Sequence, residues 1–246
     1  MIDVFFFLSL QKKIMKENIN KLLFLDIETV GVYKDTDIMS TQNPQLFQIW
    51  ESTGVDYFKR RYPEDSSLES NELFVKRSAL LPEFGKIICV SIGFIMEDGE
   101  LKLDSYYGDE KDILSKLSTL LMRVEKLGFI LCGHNVKNFD LPYIAKRMLI
   151  NGINIPNILP SYKIKPWESK VLDTKEVWNF NSFKGLSSLE LVCALLGIPN
   201  PKDNEVNGSN MHIYYYNNND MNKIVEYCEE DVKSTIHIIK KLNSIW

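Results

Sequence analysis

Little in this chain is apolar over any length. One run near the start, Val4-Phe5-Phe6-Phe7-Leu8-Ser9-Leu10, is the obvious candidate for a membrane segment. It is far shorter than the roughly 20 residues a spanning helix needs. No basic stretch precedes it and no small-residue cleavage site follows it, which argues against a secretory signal. Paired cysteines are also missing. Cys89, Cys132, Cys193 and Cys228 stand far apart with no C-x-x-C among them. That spacing does not suit a structural zinc site and reads as reduced core thiols in a cytoplasmic protein. Positive charge is not in excess: 29 Lys and Arg face 33 Asp and Glu, for a net charge of -4. That balance argues against a protein that coats nucleic acid by bulk electrostatics, and leaves room for a local basic patch.

What is present is the make-up of a globular protein, with 45% hydrophobic and 25% charged residues over 246 positions. That length suits one domain carrying an insertion, with a sizeable core. Residues 1–18 read as an extension ahead of a single domain at 19–246. Met15 is a candidate translation start, which would make residues 1–14 foreign to the natural protein.

Lys21 to Glu28 (KLLFLDIE) is a buried strand that ends in acids. Residues 34–80 are polar and aromatic-rich, and Pro44 to Arg61 has helical spacing, so this span reads as a helical insertion. Two strands follow, Lys86–Met96 and Leu101–Tyr107, joined by an Asp98-Gly99 turn and expected to pair antiparallel. Residues 109–126 form an amphipathic helix with Ile113, Leu117, Leu121 and Val124 on one face. Phe129–Cys132 is a short strand, Phe139–Asn151 a helix with Asn138 as its N-cap, and Lys170–Thr174 another short strand. A helix over Leu186–Leu196, a polar loop over 200–219 and a final helix from Asp220 to about Leu242 complete the chain. The expected architecture is α/β, a mixed sheet flanked by helices.

Three stretches carry chemistry. Asp26 and Glu28 lie at i and i+2 of a strand and so project from one face, with Ile27 in the core. Two adjacent carboxylates repel, and a hard divalent cation such as Mg²⁺ or Mn²⁺ relieves that cost. Asp140 stands in the first turn of a helix, where an acid also serves the helix dipole. Tyr227 and Asp231, at i and i+4, share a helix face with Ile224 and Thr235. Glu229 and Glu230 compete with Asp231 as ligands and are expected to be solvated on the opposite face. Each stretch alone has an ordinary structural explanation.

In order and spacing, however, Phe24–Thr29, His134–Tyr143 and Tyr227–Asp231 resemble the three motifs of the DEDD exonuclease superfamily, in its tyrosine-bearing (DEDDy) branch. Leu80–Ile87, Lys165–Glu168, Leu172–Thr174 and Gly197–Pro199 resemble the exonuclease domain of family-B DNA polymerases, in a stand-alone bacterial version. None of the three histidines stands where the histidine-bearing branch would place one. The resemblance implies a ribonuclease H-like fold and 3′–5′ hydrolysis of single-stranded nucleic acid, DNA before RNA, with release of nucleoside 5′-monophosphates. It implies two divalent cations on Asp26, Glu28, Asp140 and Asp231, with Asp26 bridging and Tyr227 orienting the attacking water. The negative net charge is no obstacle, because bound cations offset it.

Substrate contacts are expected from Asn135, from Phe139 stacking on a terminal base and from a hydroxyl or amide of Thr29 at the 3′ end. Lys59-Arg60-Arg61 and Lys163, Lys165 and Lys170 are basic stretches able to track phosphates. No polymerase domain is recognisable, so a proofreading role needs a polymerase or repair factor in trans. Rival readings are an exoribonuclease of the same chemistry, an inactive nucleic-acid-binding relic and a structural protein with surface acids.

Overall fold

The structure, a computed structural model, describes residues 19–159, 171–180, 186–199, 206–218 and 220–245. Residues 1–18, the Lys163, Lys165 and Lys170 group and the Lys165–Glu168 stretch lie outside these.

Strand β1, Leu22–Gly31, is apolar on both faces because it runs through the centre of the molecule. It pairs antiparallel with β2, Gly85–Ile95, which pairs antiparallel with β3, Leu101–Tyr107. On its other side it pairs parallel with β4, Ile130–Gly133, which in turn pairs parallel with β5, Val171–Asp173. The sheet order is β3-β2-β1-β4-β5.

Between β1 and β2 the expected insertion is indeed helical. It comprises α1, Thr36–Gln42, α2, Pro44–Ile49, α3, Val55–Arg61, and α4, Ser70–Arg77, with a π-helical turn at Trp50–Gly54 joining α2 to α3. Its own core forms around Trp50, which meets Phe74 edge-on at 5.0 Å and Phe84 at 5.1 Å. The indole N–H of Trp50 donates to Ser70 Oγ at 2.9 Å, so the buried polar edge is satisfied.

Helices cover both faces of the sheet. Helix α5, Glu110–Lys126, is capped by Asp109, whose side chain accepts from Lys111 N and Asp112 N. With α6, Asp140–Ile150, it buries Leu23, Leu25 and Ile27 of β1. The opposite face carries Leu22 and Phe24, packed against α8, Leu189–Leu196, and α10, Met221–Ile245. Ser188 caps α8 and Gly197 ends it in the left-handed region at φ 65°.

Two helices were not anticipated. Helix α7, Thr174–Asn179, follows β5 directly and is N-capped by Asp173. Helix α9, Met211–Asn218, lies inside the span read as a polar loop. The asparagine content hides it. Met211, His212 and Tyr214 are buried against β1, whereas Asn217 and Asn218 face outward. This helix owes its stability to tertiary packing rather than to local propensity.

Candidate active site

The site begins where β1 and β4 separate. Their parallel pairing covers only Leu22–Phe24 against Ile130–Cys132, so the rest of β1 has no strand on that side. Asp140 fills the gap. Its Oδ1 accepts from Ile27 N at 3.2 Å, the amide between Asp26 and Glu28. The carboxyl of α6 is thus bonded into the backbone of the acidic strand end. Pleating directs Asp26 and Glu28 to the α10 face and Ile27 to the core behind them. On β2 they stand opposite Ser91 and Cys89, and a register shift follows between Glu28 and Thr29. Bulges of this kind re-aim side chains beside functional sites.

The turn that delivers Asp140 is built by a different aspartate. Asp173, fully buried at the end of β5, accepts from Asn135 N at 2.9 Å, Lys137 N at 3.0 Å and Lys175 N at 2.9 Å. Asn135 is left-handed at φ 65°, and Gly133 just before it has no room for a side chain. A Cβ there would lie 2.7 Å from Val136 Cβ and 2.9 Å from Leu25 O. His134 is taken up structurally, with Nδ1 2.9 Å from Thr174 Oγ1 and Nε2 2.7 Å from Ser187 O. The N-cap position of α6 belongs to Phe139 and not to Asn138, and it makes no side-chain capping bond. The first-turn amides are met otherwise: Leu141 N donates to Val136 O at 3.0 Å.

From the opposite side α10 presents Tyr227, Cys228 and Asp231, all buried. Helical phase separates Asp231 from its acidic neighbours, but not by leaving them solvated. Glu229 is half-buried against β3, accepting from Ser105 Oγ at 2.8 Å, and Glu230 pairs with Lys233 at 2.6 Å. The expectation of two solvated glutamates is corrected by these contacts. Cys228 Sγ lies 3.5 Å from both Asp26 O and Asp26 Oδ2.

The electrostatics show how closely the acids are gathered. Burial, then the charges of Asp140, Asp231 and Glu28, hold the Asp26 carboxyl well above the usual range. Asp140 is pushed up to about 7, chiefly by burial, against the lowering effect of its own amide and that of Ile27; Asp173 and Asp231 add to the rise. A divalent cation is the natural counter to such repulsion. The donor set fits one: ligand atoms of Asp26, Glu28 and Cys228 all lie within 4.8 Å of one another.

The other anticipated residues are less uniform. Thr29 is buried and its hydroxyl donates to Ala79 O at 3.0 Å, a carbonyl that also accepts from Tyr143 Oη at 3.1 Å. Asn135 is half-buried, and its carbonyl accepts from Asn138 N and Phe139 N, each at 3.1 Å. Phe139 leans on the core behind β1, its ring 5.4 Å from that of Tyr143, with part of its surface exposed. On α3, Arg60 pairs with Asp56, and Arg61 lies 5.6 Å over the Tyr62 ring.

Asp173 and Cys228 were not singled out from sequence. An aspartate immediately before a threonine that opens a helix is an N-cap signature, so Asp173 left a readable signal. Cys228 left none, because its place beside Asp26 depends on how α10 meets β1.

Comparison with known proteins places this arrangement. A family described as "Predicted 3'-5' exonuclease related to the exonuclease domain of PolB" matches residues 79–244. That match starts after β1, so the grouping of Asp26 and Glu28 with the later acids comes from the fold itself. Among solved structures, the family B DNA polymerase from the hyperthermophilic archaeon Pyrobaculum calidifontis is similar, with a TM-score of 0.54 and 15% identity. The similarity covers 90% of this chain and 24% of the polymerase chain, so this chain spans about a quarter of that protein. The five-stranded mixed sheet with helices on both faces is the ribonuclease H-like fold. No curated protein matches the chain. No helix among the described residues is long and apolar enough to cross a membrane.

Proposed function

Since the chain belongs to the family of predicted 3′–5′ exonucleases related to the exonuclease domain of PolB, we propose that it hydrolyses the terminal phosphodiester at the 3′ end of single-stranded nucleic acid, DNA in preference to RNA, releasing nucleoside 5′-monophosphates. One observation supports this above others. Asp26 and Glu28 from β1, Asp140 from α6 and Asp231 from α10 are gathered closely enough that the other three charges raise the Asp26 pKa, with Asp140 bonded to the amide between the first two. Carboxylates that raise one another's pKa destabilise a fold unless they serve something, and such sites are where perturbed groups gather.

In this reading the four carboxylates would hold two divalent cations, Mg²⁺ or Mn²⁺. When bound, these ions activate water and stabilise charge on the phosphoryl oxygens. The chain's own part is positional. Rigid β1 fixes the separation of Asp26 and Glu28. The Asp173-braced turn sets Asp140 against Ile27 N. Tyr227, buried beside Cys228 on α10, orients the attacking water through its hydroxyl as the tyrosine of the DEDDy pattern. The amide of Thr29, Asn135 and the exposed side of Phe139 line the approach for the 3′ nucleotide. A cytoplasmic setting and a polymerase or repair partner in trans go with this reading.

The test is digestion of matched DNA and RNA oligonucleotides, labelled at either end, with Mg²⁺ or Mn²⁺. Metal-dependent shortening from the 3′ end with mononucleotide product, faster on DNA, is expected. Internal cuts, no shortening of either polymer, or wild-type rates from Asp26→Ala would overturn the proposal.

A further inference from the structure

The donor cluster at the acidic strand end contains a thiol. Cys228 is fully buried, one residue beyond Tyr227, and its Sγ sits 3.5 Å from Asp26 Oδ2. It comes within 4.8 Å of the nearest carboxylate oxygens of both Asp26 and Glu28. The other cysteines differ. Cys132 and Cys193 belong to the apolar core under α8 and α10, and Cys89 on β2 reaches Ser91 Oγ at 3.9 Å and hydrogen-bonds the Cys228 thiol without joining the two carboxylates. Cys228 alone is grouped with two carboxylates in this way among the described residues. Both of its supports, the 25-residue helix α10 and the central strand β1, are regular elements, so the grouping is built in.

Oxygen ligands suit Mg²⁺ and Mn²⁺, whereas sulfur selects softer ions. In a tetrahedral zinc site, sulfur and oxygen ligands stand about 3.6 Å apart. Cys228 Sγ and Asp26 Oδ2 already stand 3.5 Å apart, and the Glu28 ligand oxygen lies within 4.8 Å of both. We propose that Cys228 is a further metal ligand, and that Asp26, Glu28 and Cys228 form a mixed oxygen–sulfur site for thiophilic divalent cations such as Zn²⁺, at the position where Mg²⁺ or Mn²⁺ otherwise sits. A hard ion leaves the S–H on Asp26. A soft ion takes the sulfur, and the thiol proton passes to solvent. Zn²⁺ then occupies the centre more tightly than Mg²⁺ and excludes it. The inference rests on the acids being a metal centre, as proposed above.

The test titrates Co²⁺ into the metal-free full chain and follows the thiolate-to-cobalt charge-transfer band in the near ultraviolet. The band is expected in the wild type and in Cys89→Ser, is lost in Cys228→Ser, and is displaced by Zn²⁺. Zn²⁺ affinity should fall at least about tenfold in Cys228→Ser, with Mn²⁺ affinity changed less than about twofold. X-ray absorption of the Zn²⁺-loaded wild type needs no variant and should show one sulfur scatterer at about 2.3 Å. An oxygen-only zinc shell, or a band that survives in Cys228→Ser, overturns the assignment. If Mn²⁺ still binds and depends on Asp26, the functional proposal stands without it. If neither Mn²⁺ nor Co²⁺ binds, both fall together.

Discussion

Replacing Asp140 with asparagine should make the metal-free protein more stable and the metal-loaded protein inactive. Asp140 titrates at about 7 in the folded chain against an ordinary 3.8. Its raised pKa means the folded state resists ionising it. The contribution is fully favourable below about pH 4, erodes as pH rises and is lost through about pH 7. At about 1.4 kcal/mol per unit, this mismatch lowers stability by ~2 kcal/mol at about pH 5.5, where only the unfolded chain ionises the carboxyl, and by up to ~4 kcal/mol at about pH 8, where the folded chain must ionise it too. Asparagine carries no charge, and its Oδ1 still accepts from Ile27 N, the bond that seats the side chain. Removing the charge also relieves Asp26, for which Asp140 is the largest electrostatic neighbour after burial. Chemical denaturation in EDTA should therefore show Asp140→Asn more stable than wild type, with an advantage that grows by ~2 kcal/mol between about pH 5.5 and pH 8. Added Mn²⁺ should stabilise the wild type and leave the variant behind. An asparagine variant that is less stable at pH 8, or whose advantage is the same at both pH values, would refute the account of crowded carboxylates.

Three further outcomes are expected. Tyr227→Phe should keep its fold and its metal affinity while lowering kcat roughly 10²-fold, read from single-turnover digestion, because only the water-orienting hydroxyl is removed. Asp173→Ala strips the acceptor from three backbone amides and should destabilise the chain by about 3 kcal/mol or more in urea titrations. It should also weaken Mn²⁺ binding, since the turn that presents Asp140 loosens; unchanged metal affinity would show that Asp140 is held by Ile27 alone. Trp50→Ala should cost about 3–5 kcal/mol by emptying the centre of the insertion core, checked by thermal unfolding.

Much of the fold was legible along the chain. The period-two pattern of β1 and the helical phase of Tyr227 and Asp231 are local geometry, and the structure keeps both. The α5 stripe of Ile113, Leu117, Leu121 and Val124 is likewise local and likewise buried. Three matters were settled only by tertiary contact. Helix α9 forms in an asparagine-rich stretch because β1 offers a surface for Met211 and Tyr214, and His212 bonds Gly31 N at 3.0 Å. Glu229 is drawn against Ser105 by the packing of α10 on β3, which no helical wheel foretells. The geometry of the acidic cluster depends on β4 parting from β1 after Phe24, which leaves Ile27 N for Asp140, and on α10 bringing Cys228 to Asp26. Sequence determined which faces the acids occupy, because side-chain direction follows backbone period. Their meeting was decided by the fold, because elements more than 100 residues apart converge only when the sheet and its covering helices assemble.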